Sequence, residues 1–492
     1  VISQHLPALQ VVVPLIAAPV CVLLRRGAWA WALASVASAS TLAAALVLLA
    51  RVQESGTITY DLGGWPAPYG IEYRIDLVNA FVLVIVSMIS TITLLYGRRS
   101  VASEVPGEKL HLFYTGWMLF LTGLLGIAIT GDAFNVFVFL EISSLSTYLL
   151  ISLGRDRRAL MAAFRYLIMG TIGATFLLIG IGLLYMMTGT LNLADIAERL
   201  PAAIETRTAK VAFAFVLIGL GIKAAVFPLH VWLPGAYTYA PSAVSVVVAA
   251  TSTKVAVYLI MRFVFTIFGA QYVFVGLGID RLLLLLALLA MFIASTIAIF
   301  QVNIKRMLAW SSIAQIGYMV LGISLLSQAA LTASIVHLFN HAIMKAALFM
   351  VMGAVFFRIG SVRLEDMAGL GREMPWTMAA FVVAGLSLVG VPLTVGFVSK
   401  WYLVLAALQG GHVIIAVLVL LSSLLALIYV WRVVEVAYFR ERGGGEAVRE
   451  APLSLLLPMW LLVAASIYFG LNTALTVDVA DAAAATLQGG PL

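Results

Sequence analysis

Residues 221–258 read GIKAAVFPLHVWLPGAYTYAPSAVSVVVAATSTKVAVY. Two apolar runs flank a centre punctuated by Pro228 and Pro234, and each run holds one lysine, Lys223 and Lys254. A helix interrupted in this way is tolerated by a bilayer only where its opened backbone is buried in protein or lines a wet cavity. Composition puts the whole chain in that setting. Of 492 residues, 63% are hydrophobic and 10% charged, with a mean hydropathy of +1.09. A soluble domain carries roughly a quarter charged residues, so this chain cannot dress a water-facing surface and reads as an integral membrane protein. Barrels are excluded because the apolar runs continue for about twenty residues without the alternation their strands need. The single Cys21 rules out a disulfide framework or a thiolate metal site.

Apolar runs between charge and Gly/Pro punctuation predict fourteen helices, at 6–24, 29–50, 76–96, 112–130, 133–153, 162–187, 211–229, 241–268, 282–300, 307–326, 329–357, 376–408, 412–439 and 452–470. The run at 6–24 has no preceding basic region or small-residue cleavage site and reads as a retained span. The seventh and twelfth are expected to be discontinuous, the twelfth because Pro392 lies between Gly390 and Gly396. Sixteen of the 29 Lys and Arg residues fall in odd-numbered loops and seven in even-numbered ones. The positive-inside rule then places both termini on the non-cytoplasmic side; the membrane expected is the cell (inner) membrane of a prokaryote. The net charge of +7 is this loop bias; no basic tract is dense enough for nucleic acid.

The chain repeats itself. Setting Tyr166 against His337 aligns 32 residues without a gap, with Gly182 on Gly353, Leu193 on Leu364 and Asp195 on Asp366. A nearby offset puts Asn135, Leu140, Ser143 and Ser144 over Asn303, Leu308, Ser311 and Ser312, and Pro228 and Pro392 are counterparts. The expected architecture is all-α, with two five-helix repeats formed by spans 4–8 and 9–13. An odd unit returns inverted across the membrane, as in many secondary transporters. The expected organisation is three N-terminal spans (1–111), a first repeat (112–268), a second (280–439), then a cytoplasmic loop, last span and short tail (440–492).

Ionisable side chains inside a bilayer cost several kcal/mol each unless they face a wet or paired interior. Glu141, Lys223, Lys254 and Lys400 lie within predicted spans, and His337, His341 and Lys345 recur every four residues, on one helix face. The bland reading makes them structural ion pairs, packed core histidines or snorkelling ends. That reading suits Arg165 and Arg432 best, near helix ends, while His230 could simply cap the broken helix. The functional reading is a water-linked chain of Glu, Lys and His that passes protons along the membrane plane. A metal site is not expected, since no carboxylate accompanies the histidines at suitable spacing.

The opening segment, with FLEISSLSTYLL (139–150), IKRMLAWSSIAQIGYM (304–319) and HLFNHAIMKAALFM (337–350), resembles the antiporter-like subunits shared by respiratory complex I, membrane-bound hydrogenases and Mrp-type multisubunit cation/proton antiporters. The resemblance spans about residues 70–440. It implies fourteen helices, two inverted repeats and a proton path in which Glu141 is the fifth-helix glutamate and Lys223, Lys254 and Lys400 are the seventh-, eighth- and twelfth-helix lysines. The residues themselves, not the resemblance, suggest that His337, His341 and Lys345 bridge the halves, polar groups being present there only in the second repeat, with His230, Arg165 and Arg432 as accessories. The loop TYDLGGWPAPYGIEYRID (59–76) resembles that of the Mrp D-type subunits, whereas a lysine at 400 departs from the middle complex I subunit.

What the resemblance implies is a secondary-transporter subunit without its own cofactor, moving protons against sodium or another monovalent cation. Its partners would be other membrane subunits, including another antiporter-like one. The alternatives are a non-redox, proton-pumping subunit of a complex I-type oxidoreductase or membrane-bound hydrogenase, and, behind it, a subunit of an inorganic-carbon uptake complex.

Overall fold

The structure, a computed structural model, describes residues 4–443 and 447–489. Helices α1 (Leu6–Leu24) and α2 (Gly27–Ser55) lead into a hairpin of β1 (Ile58–Asp61) and antiparallel β2 (Glu72–Ile75), with Ile58 opposite Ile75. Asp76 then starts α3 (Leu77–Glu104) with a capping box: its carboxylate accepts from the Val78 and Asn79 N–H groups while the Asn79 side chain accepts from its own. The first bundle follows as α4 (Leu110–Ile129), α5 (Ala133–Ser152), α6 (Arg158–Thr188), short α7 (Leu193–Arg199), α8 (Arg207–Ala224), α9 (Leu233–Tyr239), α10 (Ser242–Ala250) and α11 (Ser252–Met261). The second comprises α12 (Ile279–Leu289), α13 (Ser295–Ile299), α14 (Ile304–Ser324), α15 (Gln328–Ile359), short α16 (Leu370–Glu373), α17 (Pro375–Val389), α18 (Val395–Gln409) and α19 (Val413–Phe439). Helices α20 (Leu453–Leu471) and α21 (Ala474–Gly489) complete the described chain.

Among the described residues, twelve helices are long and apolar enough to cross a membrane. The seventh and twelfth predicted spans are not among them because each is broken. Helix α8 stops at Ala224, which is followed by the left-handed Ala225 (φ 56°), and Pro228 lies in the turns before α9. Helix α17 stops at Val389; Gly390 (φ 93°) and Leu393 (φ 74°) turn the chain before α18. A side chain rarely adopts such angles, which is why a glycine stands at the sharper of the two turns. The predicted eighth span is also interrupted, at Thr251 between α10 and α11, and ends in a π-helical turn, Arg262–Ile267.

Polarity sorts the helices radially. The most apolar stretches of Ser242–Ile267 and of α14 are 94% buried, whereas those of α1, α6, α19 and α20 are 39% buried. The outer helices expose leucines such as Leu420 and Leu424, which a bilayer accepts and water does not. Titratable side chains such as Lys254, His341 and Lys345 are buried at the centre.

Two small bridges tie loops to helix starts. Asp132 pairs with Asn192 and Asn303 with Arg363, so both members are shifted by 171 residues. Ala133 N–H donates to Leu191 O and Ile304 N–H to Val362 O, at 2.8 and 2.9 Å. The expected register of Asn135 on Asn303 is thereby corrected to Asp132 on Asn303. The two positions share a capping role. Each closes the start of its helix through a side-chain oxygen, on Asn135 N–H at 2.7 Å and on Arg306 N–H at 3.0 Å.

The expected short tail is instead a helix. Val477, Ala480, Ala484 and Leu487 form a buried stripe on α21, and Asp481 accepts from Gln328 and Thr332 of α15 at 3.2 and 3.0 Å. At sixteen residues it is too short for a criterion built on twenty-residue runs.

Candidate functional site: a buried line of acid, lysines and histidines

Glu141 lies on α5, its side chain 24% exposed, with Oε1 3.7 Å from Lys223 Nζ. Lys223 occupies the last turn of α8 and also donates to Ser144 Oγ at 2.7 Å. The room for this arrangement comes from Gly170 on α6. A Cβ there would stand 1.9 Å from Tyr148 Oη and 3.3 Å from Lys223 Nζ. Beyond the lysine, the Trp232 indole donates to the Ile222 carbonyl at 2.8 Å, where α8 stops, beside the Ala225 N–H that reaches the same oxygen at 3.2 Å.

A cavity of about 30 Å³ lies beside Lys223, walled in part by Ser143, Ser144, Thr147 and Ser252. That is room for water. The Ser252 hydroxyl makes no hydrogen bond to protein. Two residues on, Lys254 reaches back across the break at Thr251 to the Ala249 carbonyl and contacts Thr253 Oγ1 at 3.3 Å.

Helix α15 carries the stripe. His337 and His341 stack with ring centroids 5.8 Å apart, and His337 Nδ1 lies 2.7 Å from Ser399 Oγ of α18. Neither ring nitrogen of His341 has a hydrogen-bond partner in the protein. Lys345 donates to Leu308 O at 2.8 Å and to Ser311 Oγ, both on α14. The Tyr318 ring of α14 lies 5.9 Å, centre to centre, from the His337 ring.

Lys400, on α18, turns back to the end of α17, donating to Leu388 O and Val389 O at 3.0 and 2.9 Å and to Ser423 Oγ at 3.2 Å. It also lies 4.9 Å from the centre of the Tyr318 ring. Glu141, Lys223, Lys254, His337, His341, Lys345 and Lys400 are thus arranged from one broken helix to the other. His230 and Arg165 instead line a separate groove with Arg306 and Trp310. Arg432 is half-buried about two turns before the end of α19.

Sequence reading misses a second buried charge pair. Arg262 Nη2 lies 2.5 Å from Asp76 Oδ2, both about 7% exposed, and Arg262 Nε donates to Tyr258 Oη at 3.3 Å. The loop-charge count takes Arg262, near the end of the predicted span 241–268, as a loop residue, and Asp76 stands at a span boundary. Lys254, Tyr258 and Arg262 are spaced four apart, which is the signal that could have found the pair. Among the described residues, no cluster of three or more His, Cys, Asp or Glu could hold a metal ion.

One carboxylate, four lysines and two imidazoles carried on membrane-spanning helices, with hydroxyls and a water-sized space beside Lys223, have the chemistry of a proton-conducting membrane protein. Residues 130–426 match the family described as NADH:quinone oxidoreductase/Mrp antiporter, TM, and the chain belongs to that family. It is 40% identical to NADH-quinone oxidoreductase subunit N of Desulforudis audaxviator, over 95% of this chain and 96% of that protein. It is 33% identical to the D subunit of the Na(+)/H(+) antiporter of Alkalihalophilus pseudofirmus, over 86% of this chain and 85% of that one. Its structure superposes on a chain of the Mrp complex from a Dietzia species with a TM-score of 0.90, at 26% identity, covering 99% and 98% of the two chains.

Proposed function

We propose that this chain is a proton-translocating subunit of a multisubunit membrane complex, with monovalent cation/proton antiport as the process it serves. The observation that carries this reading is the Glu141–Lys223 pair, together with the burial of Lys254, His337, His341, Lys345 and Lys400, which we read as a line leading from it to the second broken helix. At 3.7 Å and the effective dielectric of a partly wet protein interior, the attraction between unit charges is about 4 kcal/mol. A proton arriving on Glu141 cancels it and leaves the Lys223 ammonium held by Ser144. The changed charge is then felt along the line, each site biasing the next. In this reading protons pass through hydroxyls and water, and the cation is handled by another subunit, because the line holds a single carboxylate.

The finer architecture belongs to the same proposal. The broken α8–α9 and α17–α18 segments count as the seventh and twelfth of fourteen spans. Spans 4–8 (112–268) and 9–13 (280–439) form inverted repeats, and both termini face away from the cytoplasm of a prokaryotic cell membrane. The paired bridges at a constant shift of 171 residues support the repeat.

A redox-driven proton pump is the second reading, favoured by the 40% identity to an oxidoreductase subunit N. The test is reconstitution of the purified complex in vesicles carrying a trapped pH dye. A pH change on adding sodium without any reductant supports antiport, and one requiring an electron donor and quinone supports the pump. A complex in which neither drive moves protons, with Glu141→Gln indistinguishable from wild type, overturns both.

A further inference from the structure

His230 has no place in the line between Glu141 and Lys400, yet it is only 7% exposed, with its Nδ1 lacking any hydrogen-bond partner in the protein. It stacks on Phe227 and meets the Trp310 ring edge-on, so its position is set by the break after α8. Both His230 and Trp310 wall a lateral groove of about 390 Å³ between α6, the broken segment and α14. The Trp310 indole nitrogen is likewise buried without a partner. Arg158, Arg165 and Arg306 line the same groove. Arg158 is engaged by Asp156 at 2.8 Å and by the Tyr239 ring, which leaves Arg165 and Arg306 as the cations available to a ligand. Along the outer wall, Met161 and Val231 are 56% and 72% exposed, and Phe164 beside them is 56% exposed.

We infer that this groove is a binding site for an anionic phospholipid. Its phosphodiester would lie against the Arg165 and Arg306 guanidinium groups and accept from the Trp310 and His230 ring nitrogens. Its acyl chain would run along Met161, Phe164 and Val231. A guanidinium pair suits a phosphate better than a lone carboxylate, and basic pockets between membrane helices hold acidic headgroups. A free phosphate would leave the apolar wall bare, which is why the occupant is a lipid. The bound headgroup would brace the turns that follow Lys223 without touching the lysine itself.

The test uses the intact complex in nanodiscs of phosphatidylcholine, titrated with phosphatidylglycerol and read by native mass spectrometry. Arg165→Gln combined with Arg306→Gln is expected to weaken phosphatidylglycerol retention about tenfold and to leave phosphatidylcholine unchanged. Arg207→Gln with Arg281→Gln, which removes two exposed charges elsewhere, is expected to retain it fully. Trp310→Phe, which keeps an aromatic ring but loses the indole N–H, is expected to fall between. Equal phosphatidylglycerol retention in the Arg165/Arg306 variant and wild type would overturn the site. So would competition by inorganic phosphate alone, or loss of a neighbouring subunit with lipid retention intact, which would make the groove a protein interface.

Discussion

Lys400 reaches across the gap in its own broken helix, its ammonium 2.9 Å from the Val389 carbonyl on the far side. Because it also serves Leu388 O, one side chain satisfies two acceptors stranded where α17 ends. Removing it leaves buried carbonyls unpaired, at about 1–3 kcal/mol each. Lys400→Ala is therefore expected to lower the thermal midpoint of the complex as well as to stop transport. Lys400→Arg is expected to assemble and still fail, because a guanidinium donates but does not release its proton at accessible pH. Full transport by Lys400→Arg between pH 7 and 9 would show that no proton leaves at this position.

Glu141→Gln keeps the shape of α5 and removes the charge opposite Lys223. The complex is expected to assemble with normal subunit ratios and to lose vesicle acidification by at least tenfold. Transport near the wild-type rate would remove Glu141 from the mechanism.

His341 is suited to a clean test because its imidazole makes no hydrogen bond to protein. His341→Ala should therefore break no protein hydrogen bond, although its cavity carries the usual packing cost. Proton flux is expected to fall sharply, and further with Lys345→Ala, while detergent-extracted complex elutes as wild type. A double variant that transports normally would make the stripe a packing element.

The Asp76–Arg262 pair bears on stability. Asp76→Asn would leave a buried guanidinium uncompensated, a loss of about 3–5 kcal/mol when one member of such a pair is removed. The second change Arg262→Met should restore much of it. Thermal unfolding followed by tryptophan fluorescence distinguishes this from a site with no coupling, where the two losses would simply add.

Much of this is legible in the sequence because a bilayer penalises charge so heavily. Lys223, Lys254, His337, His341, Lys345 and Lys400 stand out against their apolar surroundings, and the structure buries all six. The breaks are marked by Pro228 and Pro392. Illegible are the features with no charge of their own: the turn at Thr251, the clearance left by Gly170, and α21, whose alanine stripe carries a weak hydropathy signal. The register of the two halves is misleading at Asn135 because residue identity matches there, whereas the shared feature is a capping oxygen, supplied by Asp132 in one half and Asn303 in the other.

The two broken helices are closed by different chemistry. An indole N–H from Trp232 holds the end of α8, and an ammonium from Lys400 holds the end of α17. An indole keeps the same grip whatever the acidity around it, whereas the hold of an amine changes with its protonation. One clasp is thus permanent and the other conditional, so the two broken helices answer differently to the acidity around them.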